Sequence, residues 1–103
     1  MTLPDTTYKQ AVDVVQFSPV GSHVTNGSLG TVVTITPPAT ADILMIQALA
    51  QNIRYTVDGT TNPTAATGFR GIAGAAPLFI HTRVPVKVIQ ETAGASIEYQ
   101  WGR

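Results

Sequence analysis

The chain of 103 residues contains no cysteine. That excludes disulfide staples and thiolate metal sites, and it leaves the redox compartment unreadable. Charge is also scarce: Asp, Glu, Lys and Arg make up 12% of the residues, about half the share of an average globular chain. Six basic and six acidic side chains cancel to a formal net charge of zero. The cations Lys9, Arg54, Arg70, Arg83, Lys87 and Arg103 are scattered along the sequence. Binding a phosphate backbone needs them clustered, so nucleic acid is not an expected partner. Long apolar runs are missing as well. The densest, Ile43 to Ala50, is interrupted by Gln47 and falls far short of the roughly 20 residues that cross a bilayer. Met1 to Gln10 lacks the charged-then-apolar pattern of a leader. The expectation is a whole, soluble, cysteine-free protein of one domain with no membrane partner.

Catalytic patterns are equally sparse. His23 and His81 are the only histidines, and they do not stand at a metal-ligand spacing. Ser18, Ser22, Ser28 and Ser96 sit outside any Gly-x-Ser-x-Gly elbow. Gly68-Phe-Arg-Gly71-Ile-Ala-Gly74 lacks the Lys-Ser/Thr ending of a phosphate loop and reads as a bend with bulges. No pair of carboxylates is singled out for acid–base work. No enzymatic activity, metal site or cofactor is expected. A neutral, charge-poor surface does suit coverage by other chains, since freely soluble monomers usually keep their net charge away from zero. Copies of the chain itself are the first expected partners, in a homo-oligomer.

What the sequence holds in quantity is short β-patterned segments separated by turn residues. Residues 1–10 read as an extended N-terminal arm, restricted by Pro4 and by Thr2, Thr6 and Thr7, with Tyr8 as an aromatic anchor for a neighbouring subunit. Ala11 to Phe17 is a first strand candidate, stopped by Ser18-Pro19 and Gly21-Ser22. Asn26-Gly27 is a two-residue hairpin signal. Leu29 to Thr36 follows as a strand rich in β-branched residues, ended by Pro37-Pro38. Residues 41–50 fit two templates. Thr40 is a possible helix cap and Ile43, Ile46 and Ala50 recur at helical spacing. Shortness and strand-like flanks favour a doubly buried strand, with a hairpin near Ala50 to Asn52.

Asn52 to Thr64 is the clearest element. Ile53, Tyr55 and Val57 alternate with Arg54, Thr56 and Asp58, and Asp58-Gly59 supplies a turn. The small-residue loop Pro63 to Gly68 follows, with Phe69 expected to anchor it to the core. Leu78 to His81 and Val84 to Gln90 read as strands, with Pro85 marking an edge or bulge between them. Thr92-Ala93-Gly94 is a turn, and Ile97, Tyr99 and Trp101 face one way along a final strand. Seven or eight short strands predict an all-β fold: a small antiparallel β-sandwich, Ig-like or jelly-roll-like, or a small barrel. The sandwich domain covers 11–103. The Ile53/Tyr55/Val57 face is assigned to the core with Ile97/Tyr99/Trp101. The candidate interface residues are Tyr8, Arg54, Thr56, Asp58, Asn62 and Arg70. If exposed, Tyr55, Tyr99 or Trp101 would offer a sugar-stacking surface.

Two resemblances rest on these residues. Ile53-x-Tyr55-Thr56-x-Asp58-Gly59, followed by Pro63, resembles the hairpin of small Ig-like modules such as the C-terminal module of chitobiase-type enzymes. Val86-Lys87-Val88-Ile89 and Gly94-Ala95-Ser96 match that module more loosely, and Thr60-Thr61-Asn62 sets the proline one residue later. This likeness implies a sandwich and carries no catalytic residues. The wider likeness spans residues 40–103. Ile43 to Ala48, Asn52 to Gly59, Pro63 to Phe69, Val86 to Ile89 and the ending Tyr99 to Arg103 are similar to segments of small structural proteins of tailed bacteriophages. It implies a non-enzymatic virion structural protein, a capsid decoration or cement protein made in the bacterial host cytoplasm. Its implied partners are the major capsid protein and copies of itself. A neck, tail or head-fibre component and a carbohydrate-binding Ig-like module are the alternatives.

Overall fold

The computed structural model describes residues 17–103, and every regular element in it is a β-strand. The arm over 1–10, its Tyr8 and most of the strand expected over Ala11 to Phe17 lie outside the described residues. The strands are β1 (Pro19–Asn26), β2 (Val33–Ile35), β3 (Ile43–Ala48), β4 (Ile53–Thr56), β5 (Phe69–Gly71), β6 (Leu78–His81), β7 (Val86–Gln90) and β8 (Ile97–Gly102). They form two four-stranded sheets, sheet I in the order β1-β8-β3-β6 and sheet II in the order β2-β7-β4-β5.

The pairing has one logic. β4 pairs with β5, β3 with β6, β2 with β7 and β1 with β8, all antiparallel. The chain is therefore one long hairpin whose tip is the β4–β5 loop, rolled so that successive pairs fall in alternate sheets. The β3·β8 and β4·β7 pairings then close each sheet. Eight strands wound this way are a jelly roll, one of the two sandwich topologies the turn spacing allows.

Alternation decides which side chains point inward. In β3 the burial strictly alternates, with Leu44, Ile46 and Ala48 buried and Ile43, Met45 and Gln47 half-buried on the other side. Residues 41–50 thus contain a strand, and the helical spacing of Ile43, Ile46 and Ala50 is incidental. Leu44, Ile46, Ala48, Ile97 and Trp101 of sheet I share one core with Ile35, Ile53, Val86 and Val88 of sheet II. Burying an aliphatic side chain of this kind is worth about 1.5–3 kcal/mol. Tyr55, Val57 and Tyr99 pack against that core from its margin, so the core assignment of the two alternating faces holds.

The rolled path overturns the two hairpin assignments, while Asp58-Gly59 and Thr92-Ala93-Gly94 do bend the chain. Asn26-Gly27 does not turn a hairpin: Asn26 ends β1 in sheet I and the next strand lies in sheet II. A two-residue turn joins adjacent strands about 5 Å apart, whereas this connection must cross the roughly 10 Å between packed sheets. Residues 50–52 likewise carry the chain from sheet I to sheet II and form no hairpin. Among the described residues Ser18-Pro19 and Gly21-Ser22 lie at the start of and within a strand. Pro19 opens β1, and Gly21, at φ 80°, lies in a bulge between Val20 and Val24.

Two strands are shorter than their sequence patterns. Of Leu29 to Thr36 only Val33–Ile35 is strand, although Leu29 is fully buried and its carbonyl accepts from Gln90 N–H at 3.0 Å. β7 begins at Val86, after Pro85, which has no N–H to give a ladder. Phe69 does not anchor its loop to the core. It lies on an edge strand three residues long, packs on Tyr55 at 5.7 Å between ring centroids and is 63% exposed.

Candidate docking surface

Five of the six candidate interface residues fall within the described chain, and the fold gathers them on the outer face of sheet II and the tip loop beside it. Each is bonded within the molecule. The register sets Arg54 of β4 opposite Arg70 of β5, a like-charge pair that is unfavourable on its own. Glu91 resolves it. Its carboxylate accepts from Arg70 Nε and Arg70 Nη2, each at 3.0 Å, and lies 3.4 Å from Arg54 Nε. Arg54 Nη1 also donates to the Gly68 carbonyl at 3.0 Å. The Arg70 guanidinium holds the Glu91 carboxyl below the usual carboxylate range, and Glu91 in turn raises Arg70.

The tip loop is stapled in the same way. Asp58 Oδ1 accepts from the backbone N–H groups of Thr60 and Thr61 at 3.0 and 2.9 Å, and Asp58 Oδ2 accepts from the Thr61 hydroxyl. The Thr61 hydroxyl and backbone bonds, with that of Thr60, bring the Asp58 carboxyl down to about 2. Thr56 donates its hydroxyl to the Thr61 carbonyl, and Lys87 Nζ donates to Asn62 Oδ1 at 3.1 Å. An open hollow of about 400 Å³ lies between Thr56, Val57, Asp58, Thr61, Gly68 and Phe69.

The outer face of sheet I is different. β3 presents Ile43, Met45 and Gln47. In register beside Met45 stand Phe79 of β6 and Gln100 of β8. Gly102 of β8 has no room for a β-carbon because the Phe17 ring lies over it. That ring meets Phe79 edge-on, with centroids 6.1 Å apart and planes at 79°. Phe79 is 52% exposed. Beside Phe17 runs an apolar groove of about 300 Å³, bordered by Pro19, Met45, Gln47, His23 and Glu98. Its polar edge is closed by a His23 Nε2–Glu98 Oε1 contact of 2.6 Å.

Phe17, Met45 and Phe79 were not among the sequence candidates. The signal for Met45 and Phe79 is that Ile43 to Ile46 and Leu78 to Ile80 are apolar on both faces. That pattern reads as a doubly buried strand, and in the described residues one of those faces has no covering layer.

The aromatic candidates divide. Trp101 is 4% exposed and its Nε1–H has no acceptor among the described residues. Tyr99 is partly buried, which raises its phenol, and Tyr55 is half-buried under Phe69. No group of three or more His, Cys, Asp or Glu suited to a metal occurs among the described residues. Comparison of the chain with models of protein families, with curated proteins and with solved structures finds no significant match.

Proposed function

We propose that the chain is a non-enzymatic virion structural protein, a capsid decoration or cement protein that docks on the major capsid protein through the outer face of sheet I. The observation that carries this reading is the apolar surface of Phe17, Met45 and Phe79, uncovered among the described residues, on a chain with no net charge. A contiguous apolar patch rimmed by polar groups is the usual mark of a protein contact surface. The likeness of residues 40–103 to small phage structural proteins supports the virion setting. The jelly roll adds support by analogy alone, since the same fold serves both capsid and lectin domains.

A cement protein docks in many copies on a lattice, so modest affinity per copy is multiplied by avidity. Oligomerisation on the shell suits the same face or the edges of the roll. The reading is tested on particles prepared with and without the chain. Co-purification in hundreds of copies and earlier thermal release of the genome from stripped shells are the expected results. Particles that bind the chain in a dozen copies or fewer place it in the neck, tail or head fibre instead. Stripped shells that hold their genome as well as complete ones overturn the cement role. The glycan-binding reading has lost Trp101 to the core and retains Tyr55 with Phe69, and the half-buried Tyr99, as stacking surfaces.

A further inference from the structure

The fold leaves Asn26-Gly27 without the turn that its sequence signals. The pair has a chemistry of its own, visible when the three asparagines of the chain, Asn26, Asn52 and Asn62, are set side by side. An asparagine turns itself into an acid when the N–H of the following residue attacks its side-chain carbonyl carbon. The attack needs a following N–H that is free, room around the next α-carbon, and a side chain able to fold over its own peptide.

Asn62 lacks the nucleophile, because Pro63 has no N–H. Asn52 is pinned and crowded. Its Oδ1 accepts from Ala73 N–H at 2.8 Å, and the next residue, Ile53, is β-branched and 1% exposed. Asn26 meets every requirement. It is the last residue of β1, and Gly27 is exposed with nothing within 4 Å of where a β-carbon would stand. No turn or loop hydrogen bond engages the Gly27 N–H among the described residues. Ser28 N–H donates to Asn26 Oδ1 at 2.7 Å. That bond folds the side chain over the Gly27 peptide and places a donor where negative charge develops during attack.

We propose that Asn26 is a self-modifying site, converted to aspartate and isoaspartate through a succinimide closed by the Gly27 nitrogen. The Gly27 nitrogen gives up its proton to solvent and bonds to Asn26 Cγ. The Cγ–Nδ2 bond breaks and ammonia leaves. Water then opens the ring at either carbonyl, and no oxidant or reductant takes part. The product carries one more negative charge, moving the chain from neutral to anionic. In the isoaspartate form an extra methylene enters the backbone one residue past the Thr25–Glu98 pair of sheet I. Asp58-Gly59, the other pair able to close such a ring, is held back. Its carboxylate stays ionised, a poor electrophile, and is tied to Thr60 and Thr61.

The site is independent of the virion reading and is tested on the purified full chain aged in neutral to mildly alkaline buffer. Ion exchange, peptide mapping and isoaspartyl methylation are the readouts. A more acidic species is expected, with isoaspartate and aspartate at position 26 and unchanged amides at Asn52 and Asn62. Gly27→Ala, which the space around Gly27 accommodates, is expected to slow conversion several-fold. A synthetic peptide spanning Thr25 to Leu29 supplies the unfolded reference, so the result does not depend on any variant folding. Asn26 remaining an amide in the folded chain while the peptide converts overturns the proposal. So does conversion of Gly27→Ala at the parent rate, which would mean direct hydrolysis.

Discussion

On the outer face of sheet II, Arg54, Arg70 and Glu91 answer one another, and Asp58, Thr56 and Asn62 are each tied to a neighbour. On the outer face of sheet I, Phe17, Met45 and Phe79 lie together with no covering layer among the described residues. Both sheets are antiparallel and both give their inner faces to one core. The difference lies wholly in what the outward alternate positions carry. A polar outer face bonded within itself gains nothing from a partner and loses its solvation if covered. An apolar outer face gains about 25 cal/mol for each Å² removed from water. Hydrogen-bonding chemistry alone nominates sheet II, whereas the docking face proposed above is the apolar outer face of sheet I.

The largest contrast is expected between neighbours on β3. Leu44→Ala, at a fully buried position, should cost about 2–5 kcal/mol. Met45→Ala, one residue on and outward, should cost under about 1 kcal/mol. Urea denaturation of the two variants measures both. Equal losses would mean that the outer face of sheet I is as enclosed as the core.

A smaller effect is expected where sheet II has no space. A β-carbon at Gly71 would stand 2.7 Å from Ile53 Cγ1, so Gly71→Ala should destabilise by about 1–3 kcal/mol through overpacking. Thermal melts check it, with Gly27→Ala as the neutral counterpart.

The electrostatics of sheet II and its loop predict an acid limb. The Asp58 carboxyl is held at about 2 against an ordinary 3.8. A depressed native value stabilises the fold at pH above the unfolded value, and that contribution is lost as pH falls through the native one. Stability should therefore begin to fall near pH 4 and keep falling toward pH 2. Glu91, also lowered, contributes in the same direction. Asp58→Asn should flatten part of that limb in melts taken across the acid range, while Met45→Ala leaves it unchanged.

The positions of β2 to β4 and β6 to β8 were legible because their buried faces show in the sequence, and Ile53/Tyr55/Val57 and Ile97/Tyr99/Trp101 declare theirs plainly. β1 and β5 were missed, because Pro19 and Gly21 read as breaks, Gly68 to Gly74 as a bend, and β1 has no fully buried residue to mark a face. The connections were not legible. Asn26-Gly27 and Ala50 to Asn52 carry local turn chemistry, but a jelly roll pairs β1 with β8 and β3 with β6, and nothing local encodes partners so distant in sequence. The apolar face of sheet I was hidden for a related reason. Outward Met45 and Phe79 look in sequence like residues buried between two layers, and Phe17 reaches Gly102 across most of the chain. Arg54, Thr56, Asp58, Asn62 and Arg70 stood out because they are polar on a clear strand and loop. Their internal partners Glu91 and Lys87 lie well downstream, and Thr61 is disguised as one more loop threonine.

Docking of variants onto capsid shells from which the chain has been stripped separates the two faces. Phe79→Ser and Met45→Lys on sheet I, and Lys87→Ala on sheet II, are compared with the parent for occupancy and for the melting temperature of the free protein. The sheet I variants should keep the parent melting temperature to within a few degrees but lose about tenfold or more in affinity, equivalent to about 1.4 kcal/mol. Lys87→Ala should bind as the parent does. Full occupancy by Phe79→Ser together with loss of binding by Lys87→Ala would contradict docking through sheet I and move the docking surface to the opposite face of the roll.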